Sequence, residues 1–168
     1  MANETPIIRR SVGADLDGIL ALQAANQQSV GGHLSAGIPP TVLAEMIQSM
    51  PVIVAVADER VVGFLIISTA AMNAGIPIVE AMLKAYPISE GAYVAGPICV
   101  SADMRGKGLA HELFKELGRV SPGLQCVNFI RRDNLSSIRA HLKIGWKEVG
   151  DFVFNQADHA IFSYTASG

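Results

Sequence analysis

GPICVSADMRGKGLA, residues Gly96 to Ala110, is the stretch on which the fold turns: an apolar run breaks off into a short polar loop, and a glycine-rich turn then opens a helix. Proline cannot donate a ladder hydrogen bond, so Gly96-Pro97 predicts a bulge inside a strand over Ala92 to Val100. The turn that follows suits an anion. Free N–H groups and the positive end of the helix dipole lie at Arg105 to Ala110, Gly106 and Gly108 lack the Cβ atoms that would block close approach, and Arg105 and Lys107 add charge. Spacing separates the phosphate motifs that compete here. A Walker A loop fails because Ser101 stands where its first glycine belongs and Gly108 follows Lys107, and a dinucleotide fingerprint fails because His111 stands at its third glycine.

Working outward, Pro6 to Val12 reads as a first strand, and Asp15 as the cap of a helix carrying Leu16, Ile19, Leu20 and Leu22. The stretch Asn26 to Pro40 is turn chemistry too long for a plain connector, which suggests contact with a ligand. Thr41 caps a second helix to Met50, and Val52 to Ala57 with Val61 to Ser68 forms a hairpin across Asp58-Glu59-Arg60. Within Ala70 to Gly91, Ile76, Val79, Met82 and Leu83 predict a short inserted helix whose apolar stripe serves packing or a homodimer contact. A helix over Gly106 to Val120, a strand over Gln125 to Ile130, and a helix over Asn134 to Ile144 follow. Lys147 to Phe154 and His159 to Thr165 then make a closing hairpin around Asn155 to Asp158. The order βααββ(α)βαβαββ gives an α/β fold, a mixed twisted sheet with helices on both faces, in a single domain over residues 1–168.

Composition bounds the function. The 168 residues carry 13 Lys plus Arg against 15 Asp plus Glu, and half are hydrophobic, which supports a core and argues against a broad basic face for nucleic acid. The beginning of the chain shows no signal peptide, and no apolar run reaches the roughly 18 residues of a membrane span, so a cytoplasmic protein is expected. Cys99 and Cys126 sit in apolar runs with no zinc-type spacing, which predicts buried thiols and no metal.

One motif fits where the others fail. Arg105-Gly-Lys-Gly108-Leu-Ala110 matches Arg/Gln-x-x-Gly-x-Gly/Ala, and here the chain resembles the GCN5-related N-acetyltransferases, whose loop of this pattern holds the pyrophosphate of acetyl-CoA. The preceding GPICVSADM looks like that family's bulged fourth strand. A second segment, Asn134 to Trp146, resembles the family's Asn-x-x-Ala-x-x-x-Tyr-x-x-x-Gly-Phe helix. Asn134, Gly145 and Trp146 fall in register, Ser137 stands for the small Ala, and His141 stands for the Tyr. The close resemblance covers about Ala92 to Gly150; the N-terminal half agrees in its order of elements.

The resemblance implies an N-acetyltransferase that uses acetyl-CoA as co-substrate, acting on a primary amine of a small molecule or peptide by direct attack through a tetrahedral intermediate. It implies that the arm of the cofactor enters between the strands Ala92 to Val100 and Gln125 to Ile130, along Ile98, Cys99 and Val100. Arg105, Gly106, Lys107, Gly108, Leu109 and Ala110 would form the pyrophosphate loop, with Asn134 and Ser137 on the arm. The bulge would turn an N–H toward the thioester oxygen. His141 is the candidate acid for the departing thiolate, or else a helix-surface histidine in a site that leaves the thiolate to solvent. The base is open: Glu80, Glu90, His33, Tyr93 or an ordered water. A different class of function remains beside it, a catalytically inactive acyl-CoA-binding or regulatory module of the same fold. Hydrolysis by Cys99 or Cys126 finds no supporting signature.

Overall fold

The computed structural model describes residues 5–27 and 37–167. Among these residues, seven strands and five helices follow the expected order: β1 (Ile7–Arg10), α1 (Leu16–Ala25), α2 (Pro40–Ser49), β2 (Ile53–Ala57), β3 (Arg60–Ser68), α3 (Pro77–Ala85), β4 (Ala92–Val100), α4 (Leu109–Val120), β5 (Gln125–Arg131), α5 (Leu135–Ile144), β6 (Lys147–Phe154) and β7 (Ala157–Thr165). The strands form one sheet in the order β1-β2-β3-β4-β5-β7-β6. Every neighbouring pair is antiparallel except β4 and β5, which are parallel.

Helices cover both faces, and register shows how. Val61 pairs with Val56 and touches α1 at Gly18, whereas Gly63 pairs with the next residue, Ala55, and lies against Leu109 of α4. Adjacent strand residues point to opposite faces, so α1 and α4 sit on opposite sides. The same alternation places α3 opposite α5. Val127, Ile161 and Val94 pack with Ile78, Val79 and Met82 of α3, while Phe162, paired with Asn128, lies beside His141 of α5. The apolar stripe of the inserted helix is thereby spent on packing within the chain. The central strands β2 and β3 are buried on both faces, as their unbroken apolar runs require.

Local chemistry shifts several boundaries. Asp15 caps one turn earlier than expected: its carboxylate accepts from the N–H of Val12 (2.8 Å) and from both terminal nitrogens of Arg9 (2.8 and 2.9 Å), and α1 starts after it. Burial raises the carboxyl's affinity for its proton, but the Arg9 and Val12 hydrogen bonds win and hold it below the ordinary range. Thr41 lies inside the first turn of α2, because Pro40 with its fixed φ takes the N1 position. The two hairpin turns are tighter than the sequence suggested, Asp58-Glu59 and Asn155-Gln156, each with two residues at positive φ. Such turns have a twist that matches the flanking strands.

The last described residues are held by the sheet and by α4. Ala166 donates to Leu124 O and accepts from Gly123 N–H, both at 2.8 Å, and Ser167 then crosses Gly118 of α4. A Cβ at Gly118 would stand 1.8 Å from Ser167 O. Gly118→Ala is therefore expected to cost about 1–3 kcal/mol in urea unfolding despite alanine's better helix propensity. The loss should vanish in a chain shortened after Ala166.

Candidate active site: the gap between β4 and β5

β4 and β5 pair over only three positions, Ala92 with Gln125, Tyr93 with Cys126 and Val94 with Val127. Beyond these the strands part, although β4 runs on to Val100 and β5 to Arg131. The cause lies on the other edge of β4. Leu65 pairs with Ile98 and Ile67 with Ala95, so β4 carries the extra residue of a bulge at Gly96-Pro97, as the sequence predicted. Ser101 N–H donates to Val62 O (2.8 Å), which makes Ser101 and, two residues back, Cys99 the positions bonded to β3. Ile98 and Val100 alternate with them and turn their backbone groups away from β3, into the gap. Of the three strand residues expected to meet a cofactor, Ile98 and Val100 face the gap. The backbone of Cys99 belongs to the ladder with Phe64, and its thiol is buried.

The loop from Ser101 to Gly108 carries the chain from this gap to the start of α4. It is braced at its root, where Asp103 accepts from Ser101 Oγ (2.7 Å) and from Arg60 on β3 (2.9 Å). Those two hydrogen bonds, the serine's the larger, lower the pKa of Asp103. Gly106 and Gly108 have φ of +76° and +77°, values L side chains rarely adopt, with open space where their Cβ atoms would be. The first helical bond runs from Glu112 N–H to Gly108 O (3.2 Å), so the N–H groups of Leu109, Ala110 and His111 emerge from the N-terminal end of α4 without a helical acceptor. The side chain of Leu109 is buried against Gly63, leaving its N–H as its polar contribution. Lys107 is exposed beside them.

Arg105 behaves differently from a free phosphate ligand. Its Nε donates to Val100 O (3.2 Å) and its Nη2 donates to Asn26 Oδ1. Asn26 is buried, and its Nδ2 donates to Leu22 O (2.8 Å), which turns its oxygen toward the guanidinium. A second tie lies nearby: Gln23 exchanges two hydrogen bonds with the backbone of Ile38, at 2.9 and 3.2 Å. Neither contact was visible in the sequence, since Asn26 and Arg105 are 79 positions apart.

Asn134 caps α5, its Oδ1 accepting from Ser137 N–H (3.3 Å). His141 is neither on the helix surface nor in a solvated cleft; it is buried among Phe114, Trp146 and Phe162. Its Nδ1 lies 2.8 Å from Ser137 O and its Nε2 3.0 Å from Asn128 Nδ2. A carbonyl only accepts, so Nδ1 carries the proton and Nε2 accepts from the amide. Burial holds the imidazole pKa below its ordinary value, against a smaller opposing effect of the Ser137 bond. The ring is a neutral structural group with both nitrogens engaged and no N–H left for a departing thiolate.

Among the other candidates, Glu80 and Glu90 are exposed, Tyr93 is half-buried against the core, and His33 and most of the stretch Asn26 to Pro40 lie outside the described residues. Burial raises the thiol pKa of Cys99 to about 11 and of Cys126 to about 12, so both are protonated at neutral pH, which removes the thiolate a cysteine hydrolase needs. Among the described residues no group of three or more His, Cys, Asp or Glu gathers to hold a metal ion, and no helix is long and apolar enough to cross a membrane.

A parallel strand pair that parts at a bulge, with a glycine loop and a helix N-terminus at its open end, is the architecture the sequence motifs anticipated. The profile of the Acetyltransferase (GNAT) family matches residues 33–146, and the chain belongs to that family. Solved structures share the fold. A GNAT-family acetyltransferase from Streptococcus agalactiae superposes with a TM-score of 0.70 at 13% identity, covering 99% of this chain and 100% of that one. A phosphinothricin acetyltransferase from Sinorhizobium meliloti, solved in complex with AcCoA, gives 0.66 at 20% identity, covering 97% and 89%. A ribosomal-protein-alanine N-acetyltransferase from Brucella melitensis gives 0.67 at 18% identity, covering 95% and 99%. No curated protein matches the sequence significantly.

The buried neutral imidazole has a pH signature. A histidine whose folded pKa lies below its unfolded value of about 6.5 contributes no acid penalty above that pH, and the unfolded state binds the extra proton below it. Stability should therefore be complete above about pH 6.5 and fall as the pH drops below it. Urea unfolding between pH 5 and 8 checks this, and the acid-side loss should shrink in His141→Gln.

Proposed function

We propose that this chain is an N-acetyltransferase that moves an acetyl group from acetyl-CoA to a primary amine of a small molecule or peptide by direct attack. The observation that carries the reading is the continuity of the gap and the loop: the outward backbone of Ile98 and Val100 leads to the N–H groups at the start of α4. That run pairs an extended amide-bearing arm with a pyrophosphate. Acetyl-CoA supplies the activated acyl group as a thioester. Gly106 and Gly108 leave room for the pyrophosphate, the N–H groups of Leu109 to His111 bind it at the positive end of the helix, and Lys107 adds charge. Val100 N–H pairs with the arm in the manner of an added strand. Ile98 N–H, first after the bulge, stabilises the negative charge that develops on the carbonyl oxygen, a contribution whose loss costs on the order of a hundredfold in rate. Asn134 and Ser137 complete the arm's surroundings at the start of α5.

In the reaction the amine nitrogen bonds to the carbonyl carbon, the C–S bond breaks, and the proton leaving the nitrogen ends on the departing sulfur. With His141 neutral and engaged, that proton travels through solvent. A peptide acceptor draws support from the ribosomal-protein-alanine acetyltransferases of related fold, and a small amine from the phosphinothricin acetyltransferase. The buried His141, standing where the family usually has its acid, favours the second reading, an acyl-CoA-binding module without turnover.

Calorimetric titration with acetyl-CoA, free CoA and NAD is the first test. Binding of the two CoA species without NAD supports the assignment, amine-dependent thiol release selects the enzyme, and binding with no release from any amine selects the module. Absence of CoA binding overturns both. Gly108→Glu should abolish CoA binding by placing bulk and negative charge at the loop. The positive φ makes this substitution cost about 1–2 kcal/mol of stability, so circular dichroism should still report a folded chain.

A further inference from the structure

Among the described residues three buried side-chain atoms have no hydrogen-bond partner: Ser11 Oγ, Trp146 Nε1 and Asn128 Oδ1. Ser11 lies after β1, far along the sheet from the gap, and the indole N–H of Trp146 lies among aromatic rings. Asn128 is placed otherwise. It follows Val127, the last residue of β5 to pair with β4, so it stands where the strands part, across from Ala95 and the start of the bulge. Only 8% of it is exposed.

The orientation of its amide is fixed by a relay of hydrogen bonds. Ser137 O accepts a hydrogen bond from His141 Nδ1–H, which leaves Nε2 of the neutral ring an acceptor, and Nε2 then requires the NH2 of Asn128 at 3.0 Å. The amide cannot flip without setting two acceptors against each other, so Oδ1 is the atom left over. A buried carbonyl oxygen without a donor costs stability, so a ligand that brings a donor to it recovers that cost on binding.

We infer that Asn128 Oδ1 is a binding group for the N–H of the amide nearest the sulfur in the thiol arm of acyl-CoA, held ready by His141 as a positioning residue. The inference rests on the acetyl-CoA reading above. An oxygen with no proton of its own selects a donor, and the thioester has none; the donors that reach the gap are the arm's amide and the attacking amine. The side of the sheet decides between them. Asn128 faces α5, the side on which α4 also lies, and the arm must run from the loop at the start of α4 into the gap along that side.

The test compares CoA with adenosine 3′,5′-bisphosphate, which shares the nucleotide end and lacks the arm. Asn128→Leu is expected to weaken CoA binding roughly tenfold, the worth of one hydrogen bond in a buried site, and to leave the affinity for the bisphosphate unchanged. Because the single substitution strands His141 Nε2, the double variant Asn128→Leu with His141→Met replaces both polar partners by apolar groups and should show the same selective loss in a stable chain. Unchanged CoA affinity in both variants overturns the inference, as does an equal fall for both ligands, which marks Asn128 as merely structural. A wild-type chain that binds neither ligand overturns the acetyl-CoA reading itself, and this inference with it.

Discussion

The extra residue in β4 is the constraint on which the site depends. A sheet satisfies its backbone groups by pairing its strands, and β4 pairs with β3 from Val94 to Val100 on either side of the bulge. Its pairing with β5 stops after three positions, while β5 is held on its other edge by β7 through seven. Two strands each anchored away from the other can diverge without loosening the sheet. The unpaired groups that result are a template for an added strand, which a protein ordinarily covers or blunts. Here they open next to the positive end of a helix.

The second support is aromatic. Phe114 of α4, Trp146 after α5 and Tyr164 of β7 pack edge to face or stacked with centroids 5.0 to 5.9 Å apart, and His141 completes the group. These contacts lock α5 against α4 on one face of the sheet. The two helix starts that frame the gap are thus held by one cluster, and a histidine in that cluster is a packing residue before it is anything else.

The glycine loop and the Asn134 helix were legible in the sequence because both are local: a proline in a strand, two glycines at a helix start, a capping asparagine. The bulge, the helix order and the parting strands followed from them. His141 was misread because its environment is made by residues distant in the chain, Phe114, Asn128 and Phe162, and no pattern around position 141 reports that burial. Arg105 shows the same limit. A basic residue in a phosphate-type loop reads as a phosphate ligand, yet its hydrogen bonds go to Val100 O and to an asparagine on the far side of the sheet. Cys99 had the right address and the wrong orientation, since only register decides which edge of a strand its backbone serves.

Asn26 and Gln23 lie one turn apart at the end of α1, the first gripping the cofactor-type loop and the second gripping Ile38, where the chain returns. The stretch between residues 26 and 38 therefore begins and ends on fixed posts of the same helix. Closing a segment between fixed ends grows costlier only slowly with length, by about 0.6 kcal/mol per doubling. Evolution can lengthen, shorten or rewrite such a segment while α1 keeps its grip on Arg105, so this stretch and the glycine loop are free to change independently of one another.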